Sequence, residues 1–172
     1  MNPETLAKRC TVILLLALSL ATLAGLLAWG PVALSEHAHE YADTRNFWGL
    51  PNAMDLITHL PVIAVGAWGW WRIRHLDAEP DIKRPWSWFF LSSVASGVMG
   101  SIYHWAPSDA RFVLSQMPRS ASCALLVLVF LAERVDGRWG SRPVVSGVLP
   151  AVIGVLVGEL VGGAAVAGLG GS

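Results

Sequence analysis

The chain has 172 residues, of which 54% are hydrophobic and 14% charged, and its mean hydropathy is +0.53. A soluble domain carries about 25% charged residues, so the shortfall argues against an ordinary soluble surface and for a membrane protein with its charges confined to loops. Lys plus Arg equals Asp plus Glu at twelve each, and a net charge of zero gives no basis for nucleic acid as a partner. The two cysteines, Cys10 and Cys123, form neither a disulfide framework nor a CxxC metal motif.

Lys8 and Arg9 precede residues 11–29, a run without a charge that is long enough to cross a hydrocarbon core of roughly 30 Å. A cleaved signal peptide with a site near Ala33, Leu34 and Ser35 is the competing reading. The apolar run is longer than the 7–15 residues usual for such peptides, which favours a retained helix. Residues 35–51 form a polar loop with His37, His39, Glu40 and Asp43. His37 and His39 with Glu40 offer a metal-ligand set, but nothing in the sequence fixes those side chains and a solvated loop is the preferred reading.

A second span is expected over 54–71, with Asp55, Thr58 and His59 at its start. Asp55 and His59 are four apart and share a helix face. The loop 72–84 is basic. A third span, 86–106, has no Asp, Glu, Lys or Arg and ends on His104 before Pro107, which disfavours helical geometry in the residue before it. A histidine inside a span is a functional candidate by default, because polar groups in hydrocarbon must find partners. The alternative is an interfacial ring beside Tyr103 and Trp105, where aromatics concentrate.

The fourth span falls in 112–132, interrupted near its start by Pro118 and Arg119. The fifth covers 144–169 and is apolar apart from Glu159, with Gly154, Gly158, Gly162 and Gly163 as a face for close helix packing. The fold expected is therefore a single all-α integral membrane domain, residues 1–172, with about five transmembrane helices. The amino terminus and the second and fourth loops carry nine Lys and Arg, against three (Arg45, Arg111 and Arg119) on the other side. This bias places the amino terminus in the cytoplasm, with His104 and the first polar loop together on the outer side.

Two stretches carry a likeness to a known family. Residues 41–66, YADTRNFWGLPNAMDLITHLPVIAVG, are similar to an Asp-x-Arg loop, a Gly-(Ile/Val)-Pro-Asn-Ala turn and a Ser-Asn-Leu-Pro helix entry. Residues 100–118, GSIYHWAPSDARFVLSQMP, with LAERV at 131–135, are similar to a Ser-x-x-Tyr-His-x-Ala-Pro-x-x-Ala-Arg run, a Leu-Pro and an Ala-Glu-Arg. In order and spacing the chain resembles the bacterial branch of the alkaline ceramidase family, within the CREST superfamily of membrane hydrolases. The resemblance implies a seven-helix bundle that hydrolyses the amide of a ceramide-like lipid with a zinc ion in a polar cavity. For a bacterial member it also implies the inner membrane.

That resemblance places a zinc ligand on His104 and gives Ser101 the part of the family's carbonyl-positioning serine. The family's serine lies four residues before the histidine, where this chain has Gly100. Eleven residues after His104, where the family keeps an aspartate that takes a proton from metal-bound water, stands Ser115, which is no base by itself. The family's second and third zinc ligands, a His-x-x-x-His pair on its last helix, have no counterpart, and the chain reads as a truncated version of that bundle. His59, at a position where the family has asparagine, is the candidate extra zinc ligand. Asp43 and Asn52, with Asp55 more loosely, match a calcium site of eukaryotic members; pairing of Asp43 with Arg45 and helix capping by Asn52 compete with it. The implied activity is a zinc-dependent lipid-amide hydrolase impaired in this chain. The alternative is a non-catalytic membrane relative with a binding or structural role. The sequence leaves the oligomeric state open.

Overall fold

The computed structural model describes residues 3–29, 46–47 and 49–158. These residues are mostly helical and contain no strand; an isolated bridge joins Phe47 and Leu50. The helices are α1 (Pro3–Trp29), α2 (Ala53–Ile57), α3 (Leu60–His75), α4 (Pro80–Trp105), α5 (Asp109–Arg134) and α6 (Val144–Gly158). Among the described residues one helix, α5, is long and apolar enough to cross a membrane.

The apolar run at 11–29 is helical, and the helix starts earlier, taking Lys8 and Arg9 into α1. The next helix is entered through a tight turn. Phe47 and Leu50 exchange backbone hydrogen bonds of 3.1 and 3.0 Å around Gly49, whose φ of 80° suits a residue without Cβ.

The expected span 54–71 is split into α2 and α3 at Thr58 and His59. Pro61 contributes to the split, because it has no N–H to give to Ile57 and the α2 bonding pattern cannot run on into α3. The His59 N–H turns to Leu56 O at 3.3 Å, which leaves the Asp55 carbonyl to side chains. Thr58 Oγ1 donates to that carbonyl at 2.6 Å, and His59 Nδ1 lies 2.9 Å from it.

Helix α4 runs unbroken through Pro85 and ends just before Pro107, as the sequence leads one to expect. Ser108 caps α5 by accepting the Arg111 N–H. The expected interruption at Pro118 and Arg119 is absent: α5 continues through both, at the cost of one backbone hydrogen bond. The apolar run after 144 begins with a π-wound turn, Val144–Val148, and then leads into the proline at 150.

The core is a stripe on α5, Ala121, Leu125, Leu128, Val129 and Ala132, recurring at helical spacing and buried. Helix α4 lies antiparallel to it. At one end Trp86 Nε1 donates to Glu133 Oε1 at 2.7 Å; midway Ser92 and Ser122 share a hydroxyl bond of 2.8 Å; at the other end the Tyr103 and Phe112 rings are 5.4 Å apart. Helix α3 packs on the other side of α4 through the small residues Gly66 and Gly69, which let Phe90 and Val94 approach the α3 backbone. This antiparallel order brings the start of α3 beside the end of α4, and so His59 beside His104.

Candidate functional site

His104 occupies the last turn of α4 and is partly buried. The α2 segment lies over it. Asn52, in the left-handed conformation at φ 51°, leaves its own helix start uncapped and instead sends Nδ2 to the His104 carbonyl at 2.9 Å. The expected cap is therefore replaced by a link between two helices. An Asn is well suited to this, because its short side chain tolerates the left-handed region.

From the same segment, Asp55 Oδ2 lies 4.0 Å from His104 Nδ1, an ion-pair distance too long for a hydrogen bond. The His59 ring stands 5.0 Å from the His104 ring at 51° between planes. His59 Nδ1 faces the Asp55 carbonyl, which can only accept, so the proton sits on Nδ1 and the bare lone pair of the neutral ring is on Nε2.

Room for that ring comes from α4. A Cβ on Gly100 would meet His59 Nε2 and Cδ2 well under the 3.0 Å that real contacts keep. The glycine at 100 and the histidine at 59 are thus one steric arrangement: the ring occupies the notch that the missing side chain leaves. Both are positions where the chain departs from the ceramidase-like pattern, and sequence reasoning did not connect them.

Both serine candidates spend their protons on their own helices. Ser101 Oγ donates to Gly97 O at 2.9 Å, and Ser115 Oγ to Phe112 O at 2.7 Å. Ser115 is 1% exposed, packed inside the helical core. A hydroxyl has one proton to give, so neither is poised to donate to a carbonyl oxygen.

A zinc site needs three protein ligands at about 2 Å and an open position. Among the described residues no group of three or more His, Cys, Asp or Glu is arranged to hold a metal ion. Asp55, His59 and His104 are neighbours but do not converge, since Asp55 offers its carboxylate to one ring and its backbone to the other. The described residues therefore do not fit a three-ligand zinc. Of the calcium candidates, Asn52 and Asp55 are both turned onto His104, and Asp43 lies outside the described residues. So do His37, His39, Glu40, Arg45 and Glu159. Comparison with family models, curated proteins and solved structures returned no match.

Proposed function

We propose that the chain is a membrane-embedded protein of alkaline ceramidase descent, a scaffold for lipid-amide hydrolysis whose own hydrolytic chemistry is impaired. The observation carrying this reading is that Asp55, His59 and His104, from two separate family-like stretches, stand side by side. Zinc, where a relative holds it, supplies an activated water and polarises a carbonyl. In this chain His104 retains the ligand position and Asp55 and His59 stand beside it, while Ser115 replaces the base.

The membrane placement rests on α5, on the uncharged run 11–29 and on the charge bias of the loops. With the amino terminus cytoplasmic, the cluster lies toward the outer face of a bacterial inner membrane. It would meet there the amide of a ceramide-like lipid. A second reading, a non-catalytic protein that keeps the bundle for binding or assembly, is favoured by one observation: the Ser101 and Ser115 protons are both committed to helix carbonyls.

The test is hydrolysis of a fluorescent short-chain ceramide by the full chain purified in detergent, with zinc measured by mass spectrometry. The expected result is turnover no higher than that of His104→Ala, with substoichiometric zinc. One zinc per chain, lost together with robust turnover in His104→Ala, would overturn the impairment. If a short-chain ceramide added to the purified chain protects neither the melting temperature nor the fluorescence of Trp105, the ceramidase-like reading fails.

A further inference from the structure

Most of the α3 surface that does not pack on α4 is exposed and apolar. Val65 is 62% and Trp68 63% exposed, with Leu76 at 50% two turns further on. Arg72 shares a helix face with Val65 and Trp68 at 3–4 spacing, and Leu76 follows just past the end of α3. Between α3 and α4 this face borders two consecutive grooves. One, of about 350 Å³, is lined by Trp68, Arg72, Leu76, Trp86 and Phe90 among others. The other, of about 330 Å³, is lined by Pro61, Val62, Val65 and again Phe90. Phe90 joins them because Gly69 leaves its ring room against the α3 backbone, and its other face stacks on Trp86 at 5.5 Å.

We infer that this double groove holds one acyl chain of an anionic glycerophospholipid, with Arg72 on the headgroup phosphate. From Pro61 to Arg72 the slot follows eleven residues of helix, about 16 Å at 1.5 Å per residue. That is close to half of the roughly 30 Å hydrocarbon core, the depth of one leaflet. Its upper part is apolar apart from Ser93, whose hydroxyl is bonded to Phe89 O, and its lower end has a single charge. Arg72 has no ion pair or hydrogen bond to its side chain among the described residues and lines the apolar groove, whereas Lys83 lines a separate one and three other arginines are occupied. Arg84 pairs with Asp81 at 3.2 Å, Arg138 with Asp136 at 2.7 Å, and the Arg74 guanidinium lies 4.5 Å over the Trp70 ring.

Trp68 and Trp86 line the same groove as Arg72, and tryptophans settle at headgroup level. An arginine near a helix end can lay its stem along apolar surface and reach that level. The charge complementarity is with a phosphodiester, and the apolar slot behind it requires an attached chain, so a free phosphate does not match the site. This inference rests on the membrane placement and not on the hydrolase reading.

The test uses the full chain, delipidated in detergent and titrated with dioleoylphosphatidylglycerol or dioleoylphosphatidylcholine under native mass spectrometry. Wild type should prefer the anionic lipid. Arg72→Gln should lower that preference about five-fold, the change that losing one solvated ion pair of about 1 kcal/mol produces. Arg74→Gln removes the same charge from the same end and should leave the preference close to wild type. Val65→Trp, which fills the apolar slot from an exposed position, should weaken both lipids alike. Equal losses in the two arginine variants would reduce the effect to diffuse charge and overturn the site. So would an unchanged preference in Arg72→Gln, or unchanged binding in Val65→Trp. No readout contains turnover, so loss of the ceramidase-like reading leaves the result standing.

Discussion

Replacing Gly100 by alanine tests whether the notch and the imidazole are one device. The new Cβ would fall inside the His59 ring edge, so the ring must retreat by about 1 Å to regain ordinary contact. Retreat breaks the His59 Nδ1 bond to Asp55 O, worth about 1 kcal/mol, and loosens a ring pair worth about 0.5–1 kcal/mol. Against this, alanine in a helix interior is favoured over glycine by about 1 kcal/mol. Gly100→Ala alone should therefore cost about 1 kcal/mol or less, a small net change that hides a large coupling. In a His59→Ala background the clash disappears and the same substitution should stabilise by about 1 kcal/mol. The double-mutant cycle should thus give a coupling of about 1.5–2 kcal/mol. Reversible unfolding in mixed micelles, followed by Trp fluorescence, measures it. Additive effects of the two substitutions would refute the reasoning, because they would mean the ring does not occupy the notch.

Ser115→Asp, the substitution that copies the family's base, should destabilise by about 3 kcal/mol by burying a carboxylate in the core, and should not raise turnover; a denaturation midpoint and the ceramide assay check both. Trp86→Phe removes the hydrogen bond to Glu133 that ties α4 to α5 and should cost about 1 kcal/mol, the low end for a charged acceptor because the pair is partly solvated. The Arg138 hydrogen bonds hold the Asp136 carboxyl down to about 2, from 3.8. A depressed folded-state value means that this link favours the folded loop above 3.8 and is lost as pH falls from 3.8 toward 2. NMR titration should find that low midpoint, and Arg138→Gln should return it to the ordinary carboxylate range.

Several features of this architecture are legible in the sequence. The uncharged run at 11–29, the proline after His104 and the Gly-Leu-Pro-Asn turn are local signals, and local signals survive folding. The break at Thr58 and His59 was also written locally, in Pro61. Apolarity that continues straight across it masks the break, and a proline acts on the turn before it rather than at its own position. The link between His59 and Gly100 was not legible. Each looks like an isolated departure from the family-like pattern, and only the antiparallel pairing of α3 with α4 shows that one makes space for the other. Asn52 departs from expectation for the opposite reason. Its position at a helix start predicts a cap, but its backbone turns left-handed and tertiary contact with His104 takes the amide.

The most direct measurement of the account is a carbon–nitrogen correlation between the imidazoles of His59 and His104, by solid-state NMR on histidine-labelled chain in lipid bilayers. Ring centroids 5.0 Å apart predict a clear inter-residue cross-peak that vanishes in His59→Asn, with His59 protonated on Nδ1. No cross-peak between the two rings, or a His59 protonated on Nε2, would contradict the cluster from which the functional reading is built.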